Sequence, residues 1–258
     1  MLPLSLQCEF MKITFLLVLL FPFFAMTQTS NITLGDSTIQ LVKAFNAPAS
    51  KVLFFNMHED EQTSIEVSKA FGQGHAINFV YLHHQLTRRV FYNVGKREFS
   101  IDPNRIYTKK GRRKTIAPWR PFAFKANNEA AKLANTILSL IKPFKTIVTM
   151  HNNTDVEYTI KSYLPEGEEA KNTADIHVSD KWDADDFVYT TSVDFFHHLK
   201  AADVNVILQD NVKFVNDGSL SVFCGINGID YLNIEAQKGH FDAQLKLTEI
   251  VYHMLMAH

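Results

Sequence analysis

Lys51-Val52-Leu53-Phe54-Phe55-Asn56-Met57-His58-Glu59-Asp60-Glu61 is an apolar run of strand length that ends in a knot of imidazole and carboxylate. The apolar part does not alternate with polar residues, so both faces of the strand should be covered, as in a parallel strand inside an α/β sheet. A helix from Ser64 to Phe71 follows, ended by Gly72, and then a second strand, Ala76 to Leu82. Strand, helix and strand in that order make a βαβ unit.

The same alternation continues outward. Val90 to Ile101 reads as a hairpin turning at Asn93-Val94-Gly95. Asn127 to Leu140 carries Ala130, Leu133, Ala134, Ile137 and Leu138 at helical spacing, and Pro143 closes it. Thr146–Met150, Val204–Leu208 and Ile229–Ala236 read as strands, and Ser192–Ala202 and Phe241–Met256 as helices, the first with Ser192 as N-cap. The polar, acidic stretch from Tyr163 to Asp186 is expected to be an exposed insertion, and the basic run Lys109 to Lys114 a solvated loop. The fold expected is a single α/β domain over residues 29–258, with a central mixed, mostly parallel sheet flanked by helices.

The chain has 258 residues and a formal net charge of −1, so no global field draws it to nucleic acid. Lys12 precedes a short apolar run, Ile13 to Phe24, and small and polar residues follow. That is the pattern of a secretory leader, here residues 1–28 with Met11 as an alternative start, and a secreted or periplasmic product is expected. The run is too short for a membrane span, which needs about 20 residues. Cys8 lies in the leader and Cys224 in an apolar stretch, so neither a disulfide nor thiol chemistry is expected.

In open α/β sheets ligands bind beyond the carboxyl ends of the strands. The first strand runs into His58-Glu59-Asp60-Glu61, the third into His151-Asn152-Asn153-Thr154, and the late strand carries Glu235. His58, Glu61 and His151 supply two imidazoles and a carboxylate, a donor set for one catalytic zinc with its fourth position open. His-x-x-Glu alone is weak: a histidine at a strand end is ordinarily a plain polar residue, and Glu61 alone is an acid at a helix N-terminus. Glu59 is expected to be solvated, and Asp60 solvated or a partner of the metal ligands. His83-His84 and His197-His198 are neighbours whose side chains point apart, which makes neither pair a ready site.

Asp102-Pro103-Asn104-Arg105 downstream of His-x-x-Glu resembles the zinc carboxypeptidase superfamily. Further details are similar to its succinylglutamate desuccinylase/aspartoacylase branch. Arg97 lies eight positions before Arg105, Asn and Thr follow His151, Glu61 and His151 are 90 positions apart, and Asn233-Ile234-Glu235-Ala236 resembles the strand of the catalytic glutamate. The resemblance spans residues 50 to 255. It implies one zinc ion per chain, Glu235 as general base, Arg97 as donor to the oxyanion, and Asn104 with Arg105 as holders of a substrate carboxylate. A tyrosine is expected near the substrate, with Tyr189, Tyr163 and Tyr231 as candidates.

The first motif lacks the glycine and asparagine typical of the aspartoacylase branch, and a separate C-terminal β-domain is not expected. The expected activity is therefore cleavage of an amide bond beside a carboxylate-bearing residue, on peptides such as cell-wall peptides. A deacylase for N-acyl amino acids and a non-catalytic binding module of the same fold are the alternatives.

Overall fold

A nine-stranded sheet runs through the computed structural model, which describes residues 27–118, 123–154 and 158–257. In chain order its strands are β1 (Gln28–Leu34), β2 (Ser37–Phe45), β3 (Val52–Asn56), β4 (Asn78–His83), β7 (Thr146–Asn153), β8 (Thr173–His177), β9 (Phe187–Thr190), β10 (Val206–Gln209) and β11 (Asp230–Gln237). Between β4 and β7 lies a separate hairpin, β5 (Val90–Val94) and β6 (Arg97–Ile101). The helices are α1 (Gln62–Gly74), α2 (Lys109–Thr115), α3 (Ala123–Ile141), α4 (Val193–Ala201), α5 (Leu220–Asn227) and α6 (Phe241–Met256).

The sheet order is β1-β2-β4-β3-β7-β11-β9-β10-β8. The centre, β4-β3-β7-β11, is parallel throughout, and β9 also pairs parallel with β10. β1, β2 and β8 add antiparallel edges, and β9 joins β11 antiparallel. The sheet is thus mixed, with its parallel part in the middle as expected.

Period-two alternation divides each central strand between two cores. Leu53, Phe55, Ile147 and Tyr231 pack under α3 and α5. Phe54, Val148, Met150, Leu232 and Ile234 pack under α1, α4 and α6. Both faces are covered, which is why β3 reads as an unbroken apolar run. Cys224 is free and buried in the first core, where burial pushes its thiol pKa up.

Two segments depart from expectation. Lys109–Thr115 is a short helix, not a loop: Thr108 Oγ1 caps it by accepting from Gly111 N at 3.0 Å. A Cβ on Gly111 would lie 2.2 Å from the Cα of Gly218, so glycine is required for this backbone approach. The stretch Tyr163–Asp186 is more than an insertion, since it supplies β8 at the sheet edge. β1 takes in Gln28, the last residue of the expected leader. Residues 1–26 of that leader lie outside the described residues, among which no helix is long and apolar enough to cross a membrane.

Candidate metal centre and active-site cavity

His58 stands two residues beyond β3, Glu61 immediately precedes α1, and His151 lies near the end of β7. All three are buried. His58 Nδ1 is 2.9 Å from Glu61 Oε1, His151 Nδ1 is 2.8 Å from Glu61 Oε2, and the two Nδ1 atoms are 3.1 Å apart. A tetrahedral zinc with about 2.0 Å bonds to nitrogen would hold its ligand atoms about 3.3 Å apart. The donors therefore fit one zinc ion. The arrangement also asks for one: if both imidazoles donate to Glu61, two N–H groups face each other at close range.

Asp102 was not expected to act on the metal ligands, yet its Oδ1 lies 2.8 Å from His58 Nε2. Donation from Nε2–H fixes the tautomer that leaves Nδ1 free for a metal. Asp102 Oδ1 also accepts from Asn104 N at 2.8 Å. Burial alone would raise the Asp102 carboxyl, but His58, Arg105 and Arg88 hold it below the usual carboxylate range. His151 is fixed differently: Gln244 Nε2 on α6 donates to its carbonyl at 2.8 Å.

Charge in the triad has a measurable consequence. Burial pushes the His58 imidazole down, but the Glu61 and Asp102 carboxylates outweigh it and raise the pKa to about 9. Metal-free protein at pH 7.5 therefore carries a proton on His58 that zinc must displace. Calorimetry in two buffers of different ionisation enthalpy should find about one proton released per zinc at pH 7.5, falling as pH passes 9. Without metal, a folded pKa above the unfolded value of 6.5 stabilises fully below pH 6.5, and that contribution disappears as pH rises through 9. The melting temperature of the metal-free protein should fall over that interval. No proton release at pH 7.5 would contradict the arrangement.

The triad opens on a cavity of about 470 Å³. β11 pairs with β7 so that Glu235 stands opposite His151. Glu235 is buried in a central strand, and its Oε1 accepts from Asn233 Nδ2 at 3.0 Å. Burial is the main cause that raises its pKa, partly offset by His151. Asn104 and Arg105 line the same cavity, and so do Tyr163, Tyr189 and Tyr231, with Tyr158 as a fourth that the sequence reading passed over. Asn104 Oδ1 accepts from Leu220 N at 3.1 Å, which leaves the Asn104 amide N–H groups as its donors. Arg105 Nε lies 3.4 Å from Asp217 Oδ2, and Gly218, next to Asp217, packs against the Arg105 backbone.

Arg97 does not join this group. It is exposed at the start of β6, paired with Val94 across the hairpin, and it does not line the cavity. The guanidinium that does is Arg88, whose Nη1 donates to Glu61 Oε1 at 2.6 Å. The sequence reading missed Arg88 because it measured spacing from Arg105. The usable signal was that Arg88 follows closely on the carboxyl end of β4, beside β3.

Glu59 also departs from expectation: it is buried, not solvated. His83 and His84 differ in exposure, at 51% and 1%, but both approach Glu59: His83 Nδ1 is hydrogen-bonded to Oε1, and His84 Nδ1 lies 3.8 Å from Oε2. Asp60 lines the cavity but makes no hydrogen bond to the metal ligands.

No family model matches the chain, and no curated protein matches it in sequence. Solved structures do match. Succinylglutamate desuccinylase from Chromobacterium violaceum is 12% identical, with 88% of this chain and 72% of that chain covered and a TM-score of 0.48. A candidate metallopeptidase from Shewanella denitrificans OS217 is 14% identical over 90% of this chain and 84% of that chain, with a TM-score of 0.46. Bovine thrombin-activatable fibrinolysis inhibitor, solved in complex with tick carboxypeptidase inhibitor, is 12% identical over 89% and 91%, with a TM-score of 0.40. At such scores these likenesses do not by themselves fix a family, and the atoms of the site carry the functional reading.

Proposed function

We propose that the chain is a zinc-dependent hydrolase that cleaves an amide bond next to a residue bearing a free carboxylate, at a peptide end or in an N-acyl amino acid. The observation that carries this reading is a cavity lined by Glu61 and His151, two of three clustered metal donors, by a buried carboxylate that is not one of them, Glu235, and by two arginines. The cavity volume falls in the range of about 300–1,000 Å³ typical of small-ligand sites.

Zinc held by His58, Glu61 and His151 would polarise the scissile carbonyl and acidify a water. Glu235 takes the proton of the attacking water and passes it to the leaving amine, a role suited by its raised pKa. Arg88 donates to the oxygen on which negative charge develops. Arg105 grips the substrate carboxylate in its planar fork, and the Asn104 amide adds a further donor.

A double exchange tests the reading. Arg105→Lys should lower kcat/KM roughly tenfold to a hundredfold, the usual cost of a lost hydrogen bond to a charged group. Amidating the substrate carboxylate should cost the wild type about as much, and the variant much less, because both changes remove one contact. The readout is kcat/KM for the four combinations of enzyme and N-acyl amino acid. Penalties that multiply independently would remove Arg105 from carboxylate recognition. No turnover of either substrate by the zinc-loaded wild type would overturn the proposed activity.

A further inference from the structure

The turn that supplies two metal ligands also holds a buried charge that the reaction does not use. Glu59 lies between His58 and Glu61, and its side chain is 3% exposed. Its Oε2 accepts from His84 N at 2.6 Å and from Leu86 N at 2.8 Å, and its Oε1 is hydrogen-bonded by His83 Nδ1. His84 N and Leu86 N belong to the segment 84–89, which joins β4 to the hairpin and carries Arg88. Leu86 has φ +56°, a left-handed conformation that costs a non-glycine residue and persists only where the surroundings impose it. Alternate backbone N–H groups turned onto one carboxylate supply that constraint.

The far end of the segment is pinned as firmly. Arg89 Nε donates to Ser100 Oγ at 2.9 Å and its Nη2 to Ser100 O at 3.0 Å, and Nη2 also donates to Thr115 O. Between these two anchors Arg88 reaches Glu61. A buried carboxylate is an inefficient way to add stability, because desolvation offsets most of what its hydrogen bonds return. Here it ties the metal-ligand turn directly to the backbone beneath the arginine.

We propose that Glu59 is a positioning residue for Arg88: by gripping the backbone of His84 and Leu86 from within the His58–Glu61 turn, it sets the arginine against the reacting carbonyl. This rests on the reading of Arg88 as the oxyanion donor. Removing the grip should leave the metal in place and loosen only the guanidinium. The effect should fall on kcat and not on KM, since an oxyanion donor acts in the transition state.

The test uses the zinc-loaded protein and the variants Glu59→Ala, Arg88→Ala and their double; alanine removes the acceptor, which glutamine would keep. Glu59→Ala should keep about one zinc per chain, lower kcat by roughly tenfold or more, and change KM by less than about twofold. In the Arg88→Ala background the same change should cost less than about twofold in kcat, because the group it positions is gone. An independent readout needs no turnover. Modification of Arg88 by phenylglyoxal, followed by peptide mass, should be several-fold faster in Glu59→Ala, while the rate at Arg105 stays unchanged. If Glu59→Ala does not fold, Glu59→Asp, which keeps the charge but shortens the reach, should show the same pattern in weaker form. Zinc loss in the single variant, fully multiplying penalties in the double, or unchanged Arg88 labelling would each overturn the proposal. If the wild type hydrolyses none of the test amides, the proposed activity fails, and the labelling still decides whether Glu59 holds Arg88.

Discussion

Replacing Glu235 with glutamine should lower kcat by on the order of a hundredfold or more, the usual worth of a placed general base, and leave the zinc content unchanged. Glutamine has nearly the same shape, and its oxygen can still accept from Asn233 Nδ2, so the local packing has no reason to move. What disappears is the ability to take a proton. Glu235 stands outside the His58–Glu61–His151 group, so the metal should remain. The surroundings of the carboxylate are prepared for the role. Thr149 Oγ1 lies 3.0 Å from Asn233 Oδ1, which turns the Asn233 amide N–H toward Glu235. Burial raises the Glu235 pKa, which makes the carboxylate a better proton acceptor. Metal analysis and steady-state kinetics on the same preparation check this. Near-normal turnover would move the base elsewhere, and loss of zinc would make Glu235 a ligand.

What the sequence revealed of the site followed the chain's own punctuation. His58, Glu61, His151 and Glu235 were legible because each sits where an apolar run meets polar residues, at the carboxyl end of a central strand. Asn104 and Arg105 were legible as a contiguous motif. Arg97 was misplaced because spacing along the chain does not report which side of a hairpin faces the cavity. Val94 and Arg97 flank the turn, and there the side chain points to solvent. Glu59 was misread because two of its partners are backbone N–H groups, which no pattern of side chains advertises.

The fold was legible to a similar degree, for similar reasons. α6 matched its reading of Phe241 to Met256, a long stretch of helical spacing. α5 was passed over as an apolar run, although Ser219 caps its start by accepting from Val222 N and Gly228, at φ +64°, ends it. β1 and β2 went unread, yet Ile32, Leu34, Ile39 and Leu41 alternate around a turn at Gly35. β8 is a short edge strand inside the polar stretch, and β9 is a four-residue strand just after it, between β11 and β10. Their place in the sheet depends on β10 and β11, distant in sequence.

Removing His151, one of the metal donors, should be among the most drastic single changes. Its Nδ1 is one of three protein donors among the described residues, and two donors cannot fix the geometry of a zinc site. His151→Ala leaves His58 held by Asp102 and Glu61 held by Arg88, so the fold has the means to survive without the metal. Activity should disappear with the zinc. Elemental analysis of dialysed wild type and His151→Ala protein is the most direct test of the metal centre. The account predicts about one zinc per chain in the wild type and almost none in the variant. A wild type without zinc, or a variant that keeps its full complement, would contradict it.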